Sequence, residues 1–175
     1  MNKLQSILRQ LGDTPAYFPD CCAGISLPLI ATLCAQLPPN PQLTLSIGSG
    51  SGLLEALLLA IGDGRANIFG VEVPSCENLY MPVERMLIVP TSHSVNSDAV
   101  MASALLFVYP RHVQLVKDYL GICKSGALEQ VVWLGPTSDW VDFERVLRMF
   151  FHVVRIVQDC VAEGDILGLA ASPRR

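Results

Sequence analysis

Short apolar runs alternate with longer segments of helical periodicity through the middle of the chain. Five such runs, each rich in Leu, Ile, Val or Phe, lie at residues 43–47, 67–71, 86–89, 104–109 and 130–134. Brief strands of this kind are typical of a parallel sheet that is covered on both faces. The pattern therefore predicts five central strands.

Segments with helical character precede and separate these strands. Residues 1–10 form a short amphipathic pattern, residues 53–60 are apolar nearly all round, and residues 112–120 carry one apolar face. Another helix is expected to begin near residues 138–139 and to pack its apolar side on the sheet. This alternation predicts five strand–helix units in a three-layer α/β sandwich.

The pattern changes near the C-terminus. Residues 153–160 and 166–170 both have the composition of strands, and no helical segment separates them. Because so short a connection allows only an antiparallel pairing, these strands are expected to form a hairpin. The predicted fold is a seven-stranded, mostly parallel sheet with an antiparallel C-terminal hairpin.

The composition narrows the class of protein. The 175-residue chain is 51% hydrophobic and 16% charged, with a net charge of −4. Globular chains average about 25% charged residues, so this deficit suggests a sheet buried on both faces, a partner interface, or both. Disorder is excluded over most of the chain. We expect one domain over residues 1–175, with N-terminal helices at 1–38 and a Rossmann-like core at 43–171.

Charge and spacing also argue against several kinds of partner. A protein with a net negative charge provides no overall positive field to attract the phosphates of a nucleic acid. Residues 21–54 are uncharged, but prolines at 28, 38, 39 and 41 leave no apolar segment of the roughly 20 residues that a bilayer requires. Arg9 lies inside the first predicted helix, unlike the apolar core of a signal peptide. We therefore expect a cytoplasmic protein with no membrane segment.

The cysteines and histidines do not indicate a metal site. None of the six cysteines forms a Cys-x-x-Cys or His-x-Cys spacing, and His93, His112 and His152 are far apart in the sequence. The cysteines are also compatible with a reducing compartment.

A glycine-rich turn follows the first predicted strand. Gly48, Gly50 and Gly52 stand between that strand and an apolar helix, where glycines let the backbone approach a ligand on the helix N-terminus. Glu72 ends the next strand 20 residues later, where a carboxylate accepts hydrogen bonds from ribose hydroxyls. The pattern predicts a nucleotide site; the alternative is a tight turn beside a surface glutamate.

These features resemble the class I S-adenosylmethionine-dependent methyltransferases. The turn is similar to their first motif, Glu72 to the acidic end of their second strand, and the final hairpin to their reversed last strand. Segments 71–73, 78–82 and 106–111 also resemble small methyltransferase-like proteins of filamentous fungi. The resemblance implies the strand order 3-2-1-4-5-7-6 and S-adenosylmethionine as cofactor. The cofactor-binding residues that it implies are Ser46, Gly48, Ser49, Gly50, Gly52, Glu72, Val73, Thr91 and Ser92.

One residue departs from the family pattern. The family usually has Asp or Glu two residues before the first glycine, where the side chain helps to hold the amino group of the methionine moiety. This chain has Ser46 there, which accepts a hydrogen bond but supplies no charge.

Candidate catalytic residues follow the third and fourth strands. Tyr109 occupies the slot where the family often positions the methyl acceptor, and Arg111 beside it is suited to an anionic substrate. His112 and His93 are candidate general bases. The ordinary alternatives are a strand end for Tyr109 and solvent-exposed loop or helix-start positions for the others.

The predicted sheet and helices account for nearly all of the 175 residues, so we expect no separate substrate domain among them. The acceptor site is therefore expected to be open, or closed by a homodimer or a partner subunit. Four aromatic residues are candidates for such a surface or else for the core: Trp140, Phe143, Phe150 and Phe151.

Two functional classes remain open. The leading one is a small-molecule methyltransferase, which takes its methyl group from S-adenosylmethionine. The alternative is a non-methylating protein on the same fold, either an accessory subunit or an enzyme of cyclisation or isomerisation. A nicotinamide-dependent dehydrogenase is the least favoured function, because the sixth strand of that fold is parallel, whereas an antiparallel hairpin is expected here.

Overall fold

The computed structural model describes residues 3–174. Its helices are α1 Lys3–Gln10, α2 Leu27–Gln36, α3 Leu53–Ile61, α4 Val113–Cys123 and α5 Thr137–Phe150. Its strands are β1 Leu43–Ile47, β2 Asn67–Glu72, β3 Met86–Ile88, β4 Ala104–Val108, β5 Gln130–Pro136, β6 Phe151–Val157 and β7 Asp165–Pro173.

All seven strands belong to one sheet. Their order is β3-β2-β1-β4-β5-β7-β6. Strands β1 to β5 are parallel to their neighbours, whereas β7 runs antiparallel to both β5 and β6. The predicted fold class, the strand order and the antiparallel hairpin are therefore confirmed. Because the five parallel strands end at one edge, the loops that follow them gather there.

The prediction of five strand–helix units was wrong at two connections. The links from β2 to β3 and from β3 to β4 contain only short 3-10 turns, Val83–Arg85 and Ser97–Met101. Prolines at 74, 82 and 90 prevent a regular helix along the first link and at the start of the second.

The hairpin turn is longer than predicted. Strand β6 ends at Val157, so the connection to β7 comprises residues 158–164. Within it, the Cys160 carbonyl accepts a hydrogen bond from Ser26 Oγ at 3.5 Å. This contact with Ser26 holds residues near Cys160 against the N-terminal segment, so they do not continue strand β6.

Two hydrophobic cores cover the two faces of the sheet. Helices α1, α2 and α3 pack on one face, and α4 and α5 pack on the other. Strand β1 shows how the faces divide: Leu45 and Ile47 belong to the α4–α5 core, whereas Thr44 and Ser46 point to the opposite side and are also buried. Ser46 therefore lies on the α3 side of the sheet.

The aromatic residues named as a dimer surface belong mostly to the core. Trp140, Phe143 and Phe151 are buried, and Phe150 is half-buried. The Trp133 ring lies 5.2 Å from the rings of both Trp140 and Phe143, measured between centroids. Of the two alternatives left open for these residues, the core is the one that the structure shows for Trp140 and Phe143 on α5 and for Phe151 at the start of β6.

Within residues 3–174, no helix has the length and apolar character needed to cross a membrane.

The packing of Trp140 against β7 makes Gly168 sensitive to substitution. A Cβ at Gly168 would run into the Trp140 ring, so Gly168→Ala is expected to lower the free energy of unfolding by about 1–3 kcal/mol. Gly121 in α4 is the matched control, because open space surrounds its Cβ position; there Ala is expected to add about 0.5–1 kcal/mol. Urea denaturation measures both. Equal stability of the two variants would contradict this account of the β7–α5 packing.

Candidate functional site

The glycine turn lies at the carboxyl edge of the sheet, between β1 and α3. Gly48, Gly50 and Gly52 have φ angles of 73°, 58° and 78°, which a residue with a side chain rarely adopts. A Cβ at Gly48 or Gly50 would meet nothing within 4 Å, so this part of the turn faces open space, whereas a Cβ at Gly52 would meet Met81 and Asn78. Gly52 caps α3 without any side-chain hydrogen bond. The first backbone N–H groups of α3 are therefore not capped by a side chain at Gly52.

Glu72 is joined to this turn through its carboxylate. Glu72 Oε2 accepts a hydrogen bond from the Gly50 backbone N–H at 2.8 Å, and Oε1 accepts one from the Val73 N–H at 2.8 Å. A carboxylate has about four acceptor positions, so two remain on the half-buried side chain. The geometry thus leaves Glu72 able to accept two further donors, such as a pair of adjacent hydroxyl groups.

A cleft opens beside Glu72, between the ends of β2 and β3. Its volume is about 410 Å³, and Val73, Thr91 and Ser92 line it together with Pro74, Ser75 and Pro90. The predicted cofactor residues accordingly fall into two neighbouring groups. Ser46, Gly48, Ser49, Gly50, Gly52 and Glu72 surround the turn, and Val73, Thr91 and Ser92 line the cleft.

A buried carboxylate lies below the turn, and sequence reasoning missed it. Glu55 is 2% exposed, and its Oε1 accepts a hydrogen bond from Ser46 Oγ at 2.5 Å. Burial raises the pKa of Glu55 to about 7, and Glu72 adds to the increase. The signal in the sequence was a single charge inside the otherwise apolar helix 53–60.

A polar cluster fixes two segments over the start of α3. Asp20 Oδ2 is 2.7 Å from both Lys3 Nζ and the Tyr80 hydroxyl, and the Asp20 carbonyl accepts from Ser51 Oγ at 2.7 Å. The Ser51 carbonyl in turn accepts from the Leu79 and Tyr80 N–H groups. The hydrogen bonds from Lys3 and Tyr80 lower the pKa of Asp20. Residues 79–80 and the loop around Asp20 are thereby both attached to the glycine turn.

Tyr109 stands at the same edge, directly after β4. Its φ of 51° is unusual for an aromatic residue, and its N–H donates to the Leu134 carbonyl at 2.7 Å. The hydroxyl donates to Asp165 Oδ1 at 2.5 Å. Burial and the neighbouring Asp165 raise the pKa of Tyr109 above its usual range, so the phenol keeps its proton. Asp165 is 7% exposed, and its Oδ2 has no hydrogen-bond partner within the described chain.

The structure brings the two candidate histidines together. The rings of His93 and His112 stack with 4.7 Å between centroids and an interplanar angle of 29°. Both side chains are exposed, as is Arg111. No group of three metal-ligating side chains occurs among residues 3–174. The pair offers imidazole nitrogens at the surface, next to the start of α4.

No family model and no curated protein matches the sequence, whereas 377 chains of solved structures match the fold. The apo form of the S-adenosylmethionine-dependent methyltransferase SibL has a TM-score of 0.62 and 14% identity. That match covers 83% of this chain and 54% of SibL, so the chain spans about half of SibL's length.

Two further matches cover the chain more fully. An S-adenosylmethionine-dependent O-methyltransferase from Thermotoga maritima has a TM-score of 0.57 and 15% identity, over 99% of this chain and 72% of its own. The precorrin 8W decarboxylase of Methanobacterium thermoautotrophicum has a TM-score of 0.60 and 11% identity, over 92% of this chain and 98% of its own. The chain therefore has the Rossmann-like fold of the S-adenosylmethionine-dependent methyltransferases.

Proposed function

We propose that the protein binds S-adenosylmethionine and methylates a small molecule. The observation that carries the proposal is the first part of the glycine turn, where Gly48 and Gly50 face open space and the Glu72 carboxylate lies against Gly50 with two unused acceptor positions. The fold is shared with solved S-adenosylmethionine-dependent methyltransferases, which supports the choice of ligand.

The residues present fit this cofactor. The backbone donors at the start of α3 suit its carboxylate, and Glu72 suits the two ribose hydroxyls. The cleft lined by Val73, Thr91 and Ser92 lies beside Glu72, where the base would rest. When bound, the cofactor supplies an electrophilic methyl group, and the protein's part is to orient the acceptor toward it.

Tyr109 and Asp165 mark the place proposed for the acceptor. Tyr109 follows β4, which lies beside β1, the strand that leads into the glycine turn, and Asp165 begins β7. Tyr109 keeps its proton and donates a hydrogen bond to Asp165, so it is proposed to position the acceptor and not to act as a base. His93 and His112 remain the proposed general bases, since their exposed rings stack at the same edge of the sheet. A role in cytoplasmic small-molecule metabolism is proposed on the sequence alone.

One observation favours the alternative, a non-methylating protein on this fold. The Gly50 N–H is already engaged by Glu72, and Met81 and Asn78 occupy the space beside Gly52. A turn satisfied by its own side chains is suited to a scaffold that has lost its ligand. The similarity to the precorrin 8W decarboxylase is compatible with a different reaction on the same fold.

A ligand panel separates these functions. Isothermal titration of the ligand-free protein is expected to show binding of S-adenosylmethionine and S-adenosylhomocysteine, with none for NAD. The Glu72 carboxylate and the cleft beside it suit an adenosyl group, and the antiparallel β7 sets the fold apart from that of the dehydrogenases. Binding of NAD alone would replace the methyltransferase proposal by a dehydrogenase, and an absence of all binding would favour the scaffold.

Removal of the Glu72 carboxylate tests the ribose assignment. Glu72→Ala is expected to weaken S-adenosylhomocysteine binding by about 1.5–3 kcal/mol, because the ribose loses a charge-assisted acceptor. Glu77→Ala, five residues later and exposed, is the matched control and should bind normally. Thermal unfolding of both variants checks that the turn is intact. Normal affinity in folded Glu72→Ala would show that ribose is held elsewhere.

We also propose that a second subunit, most simply a second copy of the chain, closes the acceptor site. Support comes from the low charge content and from exposed Val153 and Ile156 on the edge strand β6. Light scattering at micromolar protein is expected to give the mass of a dimer, and a monomer mass throughout that range would discard the idea.

A further inference from the structure

Glu55 is a buried carboxylate that lacks half of its hydrogen-bond partners. Ser46 satisfies Oε1, whereas Oε2 is buried and has no partner within residues 3–174. Burying a carboxylate oxygen without a donor is costly, so such groups are rare in folded proteins unless a ligand supplies the donor. The side chain thus has a vacant acceptor position.

The position of Glu55 places that acceptor next to the glycine turn. Glu55 lies in the first turn of the nine-residue helix α3, three residues after Gly52, and Ser46 precedes the turn by two residues. The titratable groups that act on it are Cys21 and Glu72, and neither carries positive charge. Neither Cys21 nor Glu72 can neutralise an ionised Glu55, so its cationic partner must be another group.

Two opposite electrostatic features are adjacent here. The N-terminus of α3 presents backbone donors and the positive end of the helix dipole, which attract an anionic group. Glu55 presents a carboxylate oxygen a few residues away, which attracts a cationic donor. A ligand that carries both charges close together, as the amino-acid end of a zwitterion does, matches this pair of features.

We propose that Glu55, positioned by Ser46, binds the protonated primary amine of the ligand that rests on the glycine turn. The inference rests on the proposed function and assigns to α3 the negative charge that Ser46 does not supply. The amine is the one cationic N–H donor of that ligand, because its sulfur carries no N–H and the N–H groups of adenine are neutral, so the amine is the group recognised. Ser46 acts as a positioning residue, since its hydroxyl holds Oε1 and leaves Oε2 for the amine.

Binding is then coupled to loss of a proton. Near neutral pH a substantial fraction of Glu55 is protonated in the free protein, because its pKa is about 7. An ammonium group pairs with the ionised form, so the Glu55 proton leaves to solvent as the ligand's N–H bonds to Oε2. About half a proton per ligand is expected to be released at pH 7.

The experiment compares two ligands in matched variants of the full chain. S-adenosylhomocysteine carries the amine, whereas 5′-methylthioadenosine keeps the adenosine and the thioether but lacks the amino-acid end. In Glu55→Gln, S-adenosylhomocysteine is expected to bind about tenfold or more weakly, while the affinity for 5′-methylthioadenosine stays unchanged. Glu129→Gln makes the same chemical change at an exposed position before β5 and should alter neither affinity.

Titration in buffers of different ionisation enthalpy gives an independent readout. The wild type is expected to release a proton on binding S-adenosylhomocysteine at pH 7, and Glu55→Gln is expected to release none. Ser46→Ala, which keeps the carboxylate but removes its hydroxyl partner, should lower affinity for the amine-bearing ligand only. This variant keeps the test decisive if Glu55→Gln folds poorly.

The outcomes separate this inference from the proposed function. If the wild type binds both ligands, but Glu55→Gln weakens neither or weakens both equally, Glu55 does not recognise the amine and the inference is wrong. An absence of proton release in the wild type at pH 7 overturns it as well. If the wild type binds neither ligand, the proposed function fails first, and the assignment of Glu55 falls with it.

Discussion

The candidate site depends on the backbone reversal between β1 and α3. Within five residues the chain must leave a buried strand, turn at the edge of the sheet and begin a buried helix, and three glycines in the left-handed region make this feasible. The Gly48 and Ser49 N–H groups both donate to the Val71 carbonyl, which ties the turn to β2. The other candidate site residues lie along the same edge of the sheet, at different distances from this turn.

Polar groups around the turn stabilise the fold and are also available to the proposed ligand. Glu72 satisfies a backbone donor of the turn and keeps free acceptor positions, whereas Glu55 below it is only half satisfied. Asp165, at the start of β7, shows the same condition, with one oxygen held by Tyr109 and the other unpartnered. Incomplete hydrogen bonding of buried carboxylates is thus concentrated along one edge of the sheet, as is common in ligand-binding proteins.

The sequence was most informative where a local pattern decides the structure. The run at 43–47, bounded by proline and glycine, has the same limits as β1, and the absence of a helix before β7 predicted the hairpin. The prediction of helices after β2 and β3 was wrong, because strand composition says nothing about what fills a proline-rich link. Trp140 and Phe143 show a related limit: apolar periodicity identifies the apolar face of α5 but not what that face packs against.

The site was predictable only in part for similar reasons. The motif around Gly48–Gly52 and the spacing to Glu72 are local features and indicated the turn and its acidic neighbour. The pairings Ser46–Glu55, Tyr109–Asp165 and His93–His112 join residues that are distant along the chain or on different elements, so only the folded sheet brings them together. The left-handed Tyr109 was also hidden, since a bulky residue gives no warning of a positive φ.

The cluster around Asp20 links parts of the chain that are distant in sequence. The Tyr80 hydroxyl donates to Asp20 Oδ2, 60 residues away in the sequence, and Lys3 of α1 contacts the same oxygen. The Lys3 side chain is 60% exposed, so dissolved salt weakens this contact. Helix α1 and the loop around Tyr80 should consequently open as one cooperative unit, and their amide hydrogens should exchange with solvent at rates that rise together as ionic strength increases.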